Sequence, residues 1–117
     1  MAIIRFMKMD GADNVATALA DAGAGDDACI FSPLNQELGR LQALEPVPYG
    51  NKIALASMEQ GEYIVKYGQK VGICTCPIQK GGLVHVHNVR SMSVDIPPAF
   101  KKEIIRQMHI KTGEEQQ

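Results

Sequence analysis

The sequence predicts a mainly β domain over residues 1–90, followed by a C-terminal extension over residues 91–117. A short pattern occurs twice, as SMEQGEYI at residues 57–64 and as PIQKGGLV at residues 77–84. In both copies a polar pair precedes glycine, which is typical of a tight turn because glycine adopts positive φ without steric cost. The β-branched and aromatic residues that follow favour an extended chain. Residues 51–88 also lack the 3.6-residue apolar period of a helix.

Length and composition narrow the class of protein. A chain of 117 residues suits one small domain, and its formal net charge of −1 gives no basic surface for nucleic acid or an anionic membrane. No apolar run reaches the roughly 18 residues of a membrane-spanning helix, and the N-terminal MAIIRFMK lacks the order of a signal peptide. The three cysteines are an odd number without metal-finger spacing. We therefore expect a reduced, cytoplasmic protein with neither nucleic-acid nor membrane partners.

The first part of the chain is expected to be extended. Three segments are predicted there, a strand, a turn and a second strand, over residues 3–9, 10–14 and 15–19. An Ala-rich helix capped by Asn14 is an alternative for the second strand. We favour the strand because Gly25 then aligns with Gly61 and Gly81, as a third and weaker copy of the turn pattern.

The middle of the chain gives mixed signals. Residues 32–44 fit a short helix, with Ser32 as the cap, Pro33 at the first helical position and apolar residues four apart, but a mobile loop fits equally. The two prolines in residues 45–50 exclude a helix there. They predict an extended connector that leads into a strand over residues 52–56.

A hairpin and a C-terminal helix complete the predicted elements. The hairpin turns near Gly68 and joins strands over residues 63–66 and 71–76. Residues 89–96 form a connector or a last strand. An amphipathic helix is then expected over about residues 98–110, where its apolar face covers the domain's own core, binds a partner or supports self-association.

The HVH run at residues 85–87 is the sharpest chemical signal. In a strand, the His85 and His87 side chains share one face and Val86 faces the core. Two imidazoles on one face suit a divalent metal or, when protonated, an anion, although a solvated polar face fits as well. The Asn88 amide is a candidate contact for a substrate hydroxyl. Because two ligands do not close a metal site, further ligands would come from elsewhere.

Other candidate residues give weaker signals. Lys52, Lys66 and Tyr67 lie close to predicted turns, where they contact an anionic ligand or simply belong to the surface. The CTC run at residues 74–76 is a single Cys-x-Cys pair, which is weak evidence for zinc and is better explained as small buried strand residues. Cys29 is expected in the core.

Four motifs in a fixed order carry a family resemblance. They are PYGNKIAL, GEYIVKYG, VG and GGLVHVHN, at residues 48–55, 61–68, 71–72 and 81–88. Together they resemble the SAF-type domain of the altronate and galactarate dehydratases, which also occurs as a separate small subunit, including in the related sulfolactate sulfo-lyase. The resemblance implies a β-clip fold, in which a long bent hairpin folds over itself.

The resemblance also implies a function. The expected reaction is the loss of water, or of sulfite, β to the carboxylate of a sugar acid or related hydroxy acid. Iron or another divalent metal would be held mostly by a large dehydratase subunit. In this chain His85 and His87 are the expected catalytic residues and metal ligands. The expected substrate contacts are Asn51, Lys52, Lys66, Tyr67 and Asn88.

One position departs from the family pattern. The family reads Gly-His-Lys where this chain has Gly50, Asn51 and Lys52, which indicates a different substrate or a subunit that has lost a catalytic part. Two alternative functions remain open. One is a stand-alone SAF-type module that binds a carbohydrate, a sugar acid or a partner without catalysis, and the other is the small subunit of a sulfolactate sulfo-lyase.

Overall fold

The computed structural model of the protein describes residues 2–92, which form nine β-strands. In chain order the strands are β1 Ile3–Met7, β2 Val15–Ala18, β3 Asp27–Phe31, β4 Glu37–Gln42, β5 Lys52–Ala54, β6 Tyr63–Lys66, β7 Gln69–Cys74, β8 Leu83–Val84 and β9 Val89–Ser91. Within these residues no helix is long and apolar enough to cross a membrane. The predicted mainly β class is confirmed, whereas the helix predicted over about residues 98–110 lies outside the described residues.

The strands form two sheets. The larger has six strands in the order β4-β3-β1-β2-β5-β8, and the smaller has three in the order β6-β7-β9. Paired strands are antiparallel except β1 and β3, which run parallel with Phe6 opposite Ile30. On the other side of β1, Phe6 lies opposite Ala18 of β2. The register therefore places three buried side chains of adjacent strands on one face.

Two apolar cores lie on opposite faces of the six-stranded sheet. Because successive side chains of a strand point to opposite faces, β2 contributes to both: Ala16 belongs to the first core and Val15 to the second. The first core also contains Phe6. The second core joins the two sheets, since it contains Val84 from the larger sheet and Ile64 from the smaller one.

Four turns of one type organise the chain. Their glycines, Gly25, Gly50, Gly61 and Gly81, have positive φ values of 88°, 83°, 91° and 90°. The residue after each glycine donates its N–H to the carbonyl three positions back, as in a type II turn. Each glycine then opens a β-bulge, in which it and the next residue face one residue of the neighbouring strand.

The residue opposite each bulge is small, and its spacing repeats. It accepts a hydrogen bond from the glycine N–H and donates its own N–H to the carbonyl of the next residue, at 2.7–2.9 Å. These four residues are Ala18, Ala43, Ala54 and Cys74. Each stands four positions before a residue of an isolated β-bridge, and the bridges pair Ala22 with Val47 and Met58 with Ile78. Residues 18–50 and 54–81 therefore repeat one arrangement.

Most of the predicted turns are confirmed. The turns at Gly25, Gly61 and Gly81 have the expected positive φ, and the hairpin near Gly68 has Tyr67 and Gly68 at φ 59° and 72°, as in a type I′ turn. The turn at Gly50 was not predicted, because the two nearby prolines indicate only an extended connector.

The prediction of a short helix or a mobile loop for residues 32–44 is wrong, because this segment contains β4. Ser32 does cap a turn, since its Oγ accepts hydrogen bonds from the N–H groups of Leu34 and Gln36, both at 3.2 Å. Asn35 then adopts φ 65°, which is incompatible with a right-handed helix. The chain consequently leaves the turn as a strand.

The cysteines occupy different environments. Cys29 and Cys74 are buried, as predicted, and all three thiols are free. The prediction of a buried strand residue is wrong for Cys76, which is exposed because β7 ends at Cys74 and the chain bends away.

Candidate functional site

A pair of half-buried lysines forms the centre of the candidate site. Lys52 lies at the start of β5, opposite Thr17 of β2 and Val84 of β8. Directly opposed residues share one face of a sheet, so Lys52 lies on the face that carries the second core. Burial lowers the pKa of its ammonium group, because water no longer solvates the charge fully. Beside it the Thr17 hydroxyl oxygen is buried without a hydrogen-bond partner among the described residues.

Lys66 approaches Lys52 from the smaller sheet. Burial, followed by the positive charge of Lys52, lowers the pKa of Lys66 to about 8, although the negative charge of Asp13 acts in the opposite direction. Two cations that repel each other in a partly desolvated site are stabilised when an anion binds beside them. The lysine pair therefore suits a carboxylate ligand.

Tyr67 supports the side chain of Lys66. It is buried in the hairpin turn, and its ring centroid lies 5.0 Å from the Lys66 Nζ. Burial, followed by the negative charge of Asp13, raises the pKa of the phenol to about 12. The hydroxyl therefore keeps its proton at neutral and mildly alkaline pH.

Asp13 is a component of this region that the sequence did not reveal. Its carboxylate accepts hydrogen bonds from the N–H groups of Asp10, Tyr67 and Gly68, at 3.0, 3.2 and 2.9 Å. Burial raises its pKa, and the three hydrogen bonds oppose that rise. The carboxylate thereby fixes the turn that follows Lys66. Its sequence context, DGADN, predicts only a turn and gave no sign of this long-range contact.

His85 and His87 lie side by side, but on a turn rather than on a strand. β8 ends at Val84, residues 85–88 form the turn, and Val86 is 76% exposed instead of facing the core. The strand geometry predicted for the HVH run is therefore wrong. Both imidazoles are nevertheless exposed, with ring centroids 6.5 Å apart and ring planes tilted by 51°.

Asn88 stabilises the turn of residues 85–88, the histidine turn. Its N–H donates to the His85 carbonyl at 3.0 Å, and its Oδ1 accepts from the His85 N–H at 2.9 Å. Its Nδ2 donates to the Leu83 carbonyl at 2.8 Å, and the residue is 6% exposed. Contact between Asn88 and a substrate stays a prediction, while the structure gives its amide a clear role in shaping the turn.

Asn51 lies at the same end of the sheet as the histidine turn. It is half-buried, and its Nδ2 donates to the Pro48 carbonyl at 3.3 Å. The next residue, Lys52, is paired with Val84, which directly precedes His85. The ladder between β5 and β8 therefore brings an amide, an ammonium group and an imidazole of the predicted site to one edge of the protein.

The donor set limits how much of a metal site this chain supplies. Residues 2–92 contain no group of three or more His, Cys, Asp or Glu side chains arranged to hold a metal ion. With metal–nitrogen distances of about 2.0–2.1 Å, two imidazoles at adjacent positions on one ion have centroids about 5 Å apart. The rings of His85 and His87 stand somewhat wider, at 6.5 Å, but both are exposed and able to rotate. The described residues thus fit a contribution of at most two ligands.

A family comparison covers the same residues as this fold. The family model described as the altronate/galactarate dehydratase SAF domain matches residues 4–92, which include β2 to β9 and most of β1. The chain belongs to this family. The resemblance carried by the four sequence motifs is thereby confirmed for the SAF domain.

Two altronate dehydratases are similar to this SAF chain. The enzyme of Escherichia coli (strain K12) is 31% identical over 96 residues, and that of Bacillus subtilis (strain 168) is 32% identical over 91 residues. The matches cover 80% and 78% of this chain, but 18% and 17% of the two enzymes. The chain therefore spans less than a fifth of the length of these relatives.

A third relative has different proportions. The (2R)-sulfolactate sulfo-lyase subunit alpha of Paracoccus pantotrophus is 32% identical over 63 residues, which are 54% of this chain and 92% of that subunit. A segment similar to this SAF domain therefore makes up nearly the whole of that subunit.

Proposed function

We propose that this chain is the small subunit of a two-component hydro-lyase that acts on a sugar acid such as altronate or galactarate. A large dehydratase subunit would complete the active site. The observation that carries this proposal is the match to the sulfo-lyase subunit alpha, because 92% of a named enzyme subunit is similar to this domain. The similarity to two altronate dehydratases supports the choice of reaction and substrate.

The reaction is an elimination of water β to a carboxylate. A base removes the proton from the carbon next to the carboxylate, and the electron pair of that C–H bond forms a C=C double bond to the β carbon. The bond from the β carbon to its hydroxyl oxygen breaks, and the hydroxyl leaves as water after it receives a proton. Lys52 and Lys66 hold the substrate carboxylate through their paired charges. His85 or His87 donates the proton to the leaving hydroxyl, as histidine commonly does in general acid catalysis.

The family resemblance implies iron or another divalent metal in the complete enzyme. Its ligands would come mostly from the large subunit, with at most His85 and His87 from this chain. When bound, the ion supplies a Lewis acid for the carboxylate and hydroxyl oxygens of the substrate. A histidine nitrogen that binds the ion has no proton to donate, so the two imidazoles divide the two roles.

The test is reconstitution with the large subunit. Neither subunit alone is expected to dehydrate altronate or galactarate, and the complex is expected to do so. Replacement of both histidines, His85→Ala with His87→Ala, should lower kcat of the complex by about 100-fold or more if they supply the general acid. Since both side chains are exposed, the free energy of unfolding should change by less than about 0.5 kcal/mol. Unchanged turnover in this variant would refute the assigned role.

The similarity to the Paracoccus subunit also favours a second candidate, the small subunit of a sulfolactate sulfo-lyase. The carboxylate contacts are the same, but the leaving group is sulfite instead of water. Sulfite release from sulfolactate by the reconstituted complex, without dehydration of altronate or galactarate, would select this candidate. Tight binding of a sugar acid by the isolated chain, without any complex, would instead indicate a non-catalytic binding module.

A further inference from the structure

A cleft of about 240 Å³ opens along β4, at the edge of the six-stranded sheet. Its apolar lining comes from Ile30, Leu38, Leu41 and Leu55, and Lys8 and Lys80 also line it. Ile30 belongs to the first core, and Leu41 and Leu55 pack against that core. The lysines that were assigned to the substrate lie elsewhere, because Lys52 faces the second core.

The cleft continues into an open strand edge. Within the described residues β4 has a neighbour on one side only, β3, and every one of its residues is exposed except the half-buried Leu41. The turn at Gly81 covers the chain just beyond β4, where the Leu44 N–H donates to the Gly81 carbonyl at 2.9 Å. Leu38, which lines the cleft, is 52% exposed, and Leu34, in the turn before β4, is 82% exposed. An open edge next to exposed leucines is a common site of strand addition.

The charged residues that line the cleft are all cations. No residue that lines it is acidic, and Arg40, the third cation of the lining, is paired with Glu37 at 3.1 Å. No carboxylate among residues 2–92 forms an ion pair with Lys8 or Lys80. The chain as a whole has a net charge of −1, so this cluster is a local feature and not a general property of the surface.

These features together indicate what binds there. A small polyhydroxy acid has no apolar part to cover Leu38, Leu41 and Leu55, which are exposed or half-buried. A second copy of the chain would bring Lys8 and Lys80 close to their own equivalents, and like charges at an interface are unfavourable. An extended polypeptide satisfies all three features, because its backbone pairs with the strand edge and its alternate side chains are apolar or acidic.

We propose that an extended acidic segment of the large subunit binds along β4, with apolar side chains in the cleft and carboxylates beside Lys8 and Lys80. This inference rests on the proposed function, since it takes the large subunit as the partner. It assigns one contact surface between the two subunits, on the opposite face of the six-stranded sheet from Lys52 and therefore separate from the contacts that would complete the active site.

The test compares two charge-reversal variants in the binding of the large subunit. The cleft variant is Lys8→Glu with Lys80→Glu, and the control is Lys70→Glu with Arg90→Glu, which makes the same change in net charge on exposed residues of the smaller sheet. The cleft variant should raise the Kd of the complex at least tenfold at fixed ionic strength. The control should leave it within about twofold of the unchanged chain.

Amide hydrogen exchange gives a second measurement on the unchanged chain, so the test does not depend on the folding of a variant. Exchange in Glu37–Gln42 should slow at least tenfold when the large subunit binds.

If a complex forms but neither the Kd of the cleft variant nor exchange in β4 changes, the docking surface is wrong and the proposed function stands. An equal rise in Kd for both variants would also show that the docking surface is wrong. The same conclusion follows if protection of β4 grows with the concentration of this chain alone, since β4 would then pair with a second copy. If no complex forms at all, the proposed function fails and the docking surface fails with it.

Discussion

An isolated lysine titrates near pH 10.4, whereas Lys66 has a pKa of about 8. The difference arises from its position between two sheets, where burial and the charge of Lys52 both favour the neutral amine. Near pH 7 most of the Lys66 population still carries its charge, so the pair with Lys52 remains suited to a carboxylate. That charge disappears within a pH range that is accessible to experiment.

We therefore predict that carboxylate binding weakens above about pH 8. In the reconstituted complex, the affinity for a sugar acid should fall by up to about tenfold per pH unit beyond the pKa of Lys66, because the neutral amine no longer attracts the anion. In the variant Lys66→Arg the guanidinium stays charged, so the fall that begins at about pH 8 should be absent, and a decline at higher pH would come from Lys52, whose pKa is also lowered. Inhibition constants measured between pH 7 and 9.5 check this, and a flat profile in the unchanged enzyme would show that Lys66 does not contact the carboxylate.

The histidine turn shows what residue types reveal and what they do not. The HVHN run indicated two adjacent imidazoles, and the structure does bring His85 and His87 together. The reason lies in Asn88, whose amide closes a turn by bonds to the backbone of His85 and Leu83. Sequence spacing could not separate a strand from this turn, because either conformation exposes both rings. Asp13 was missed for a related reason, since two of its three partners lie more than 50 residues away along the chain.

At the scale of elements, the fold is set by turns more than by strands. Glycine after a polar pair identified the turns at Gly61 and Gly81, and alignment with them identified the turn at Gly25, because positive φ restricts the residue at that position. The fourth turn, at Gly50, was not predicted, because the two prolines just before it indicate an extended connector. β4 was not predicted either, because a cap at Ser32 and two leucines four apart are typical of a helix. In the structure both leucines are exposed. Local signals thus predicted how segments begin, whereas long-range pairing decided how they continue.

Two of the turn glycines allow backbone strain to be separated from steric contact. A Cβ at Gly81 would lie 2.3 Å from the carbonyl oxygen of Gln42, whereas a Cβ at Gly61 would have no atom within 4 Å. The φ values are nearly equal, at 90° and 91°. Gly61→Ala should therefore cost about 1–2 kcal/mol from strain alone, and Gly81→Ala about 2 kcal/mol more, because backbone must also move.

Urea unfolding of the two variants measures this difference, provided that the m-values agree. The comparison is matched, since both glycines occupy the same position in the same turn type. Equal costs at the two positions would mean that the contact between the Gly81 turn and the end of β4 relaxes without penalty.

At the scale of the whole molecule, the smaller sheet depends on the larger one. Its three strands bury one face in the second core, and without the larger sheet that apolar face would be exposed to water. Two neighbouring polar residues add directional contacts. The Asn14 side chain bonds to the backbone of Tyr63 and Val65, both at 2.9 Å, and Asp13 accepts from the hairpin turn. Lys66 lies between these contacts, so the geometry of the candidate site depends on how firmly the hairpin is held.

This dependence can be tested with Asp13→Ala, which leaves three backbone N–H groups without their acceptor. Each unsatisfied N–H costs about 1–3 kcal/mol where water cannot replace the carboxylate, but the raised pKa shows that the buried charge itself is unfavourable. We therefore expect a net loss of about 2–3 kcal/mol in the free energy of unfolding, concentrated in the hairpin of β6 and β7. Amide hydrogen exchange should show this hairpin opening at a lower free energy than β1–β3, which is local unfolding of the smaller sheet.

The control is Asp10→Ala, which removes one exposed turn hydrogen bond and should cost less than about 1 kcal/mol. Equal loss of protection in both sheets of the Asp13→Ala variant would show instead that the molecule unfolds as one unit and that the carboxylate does not hold the hairpin separately.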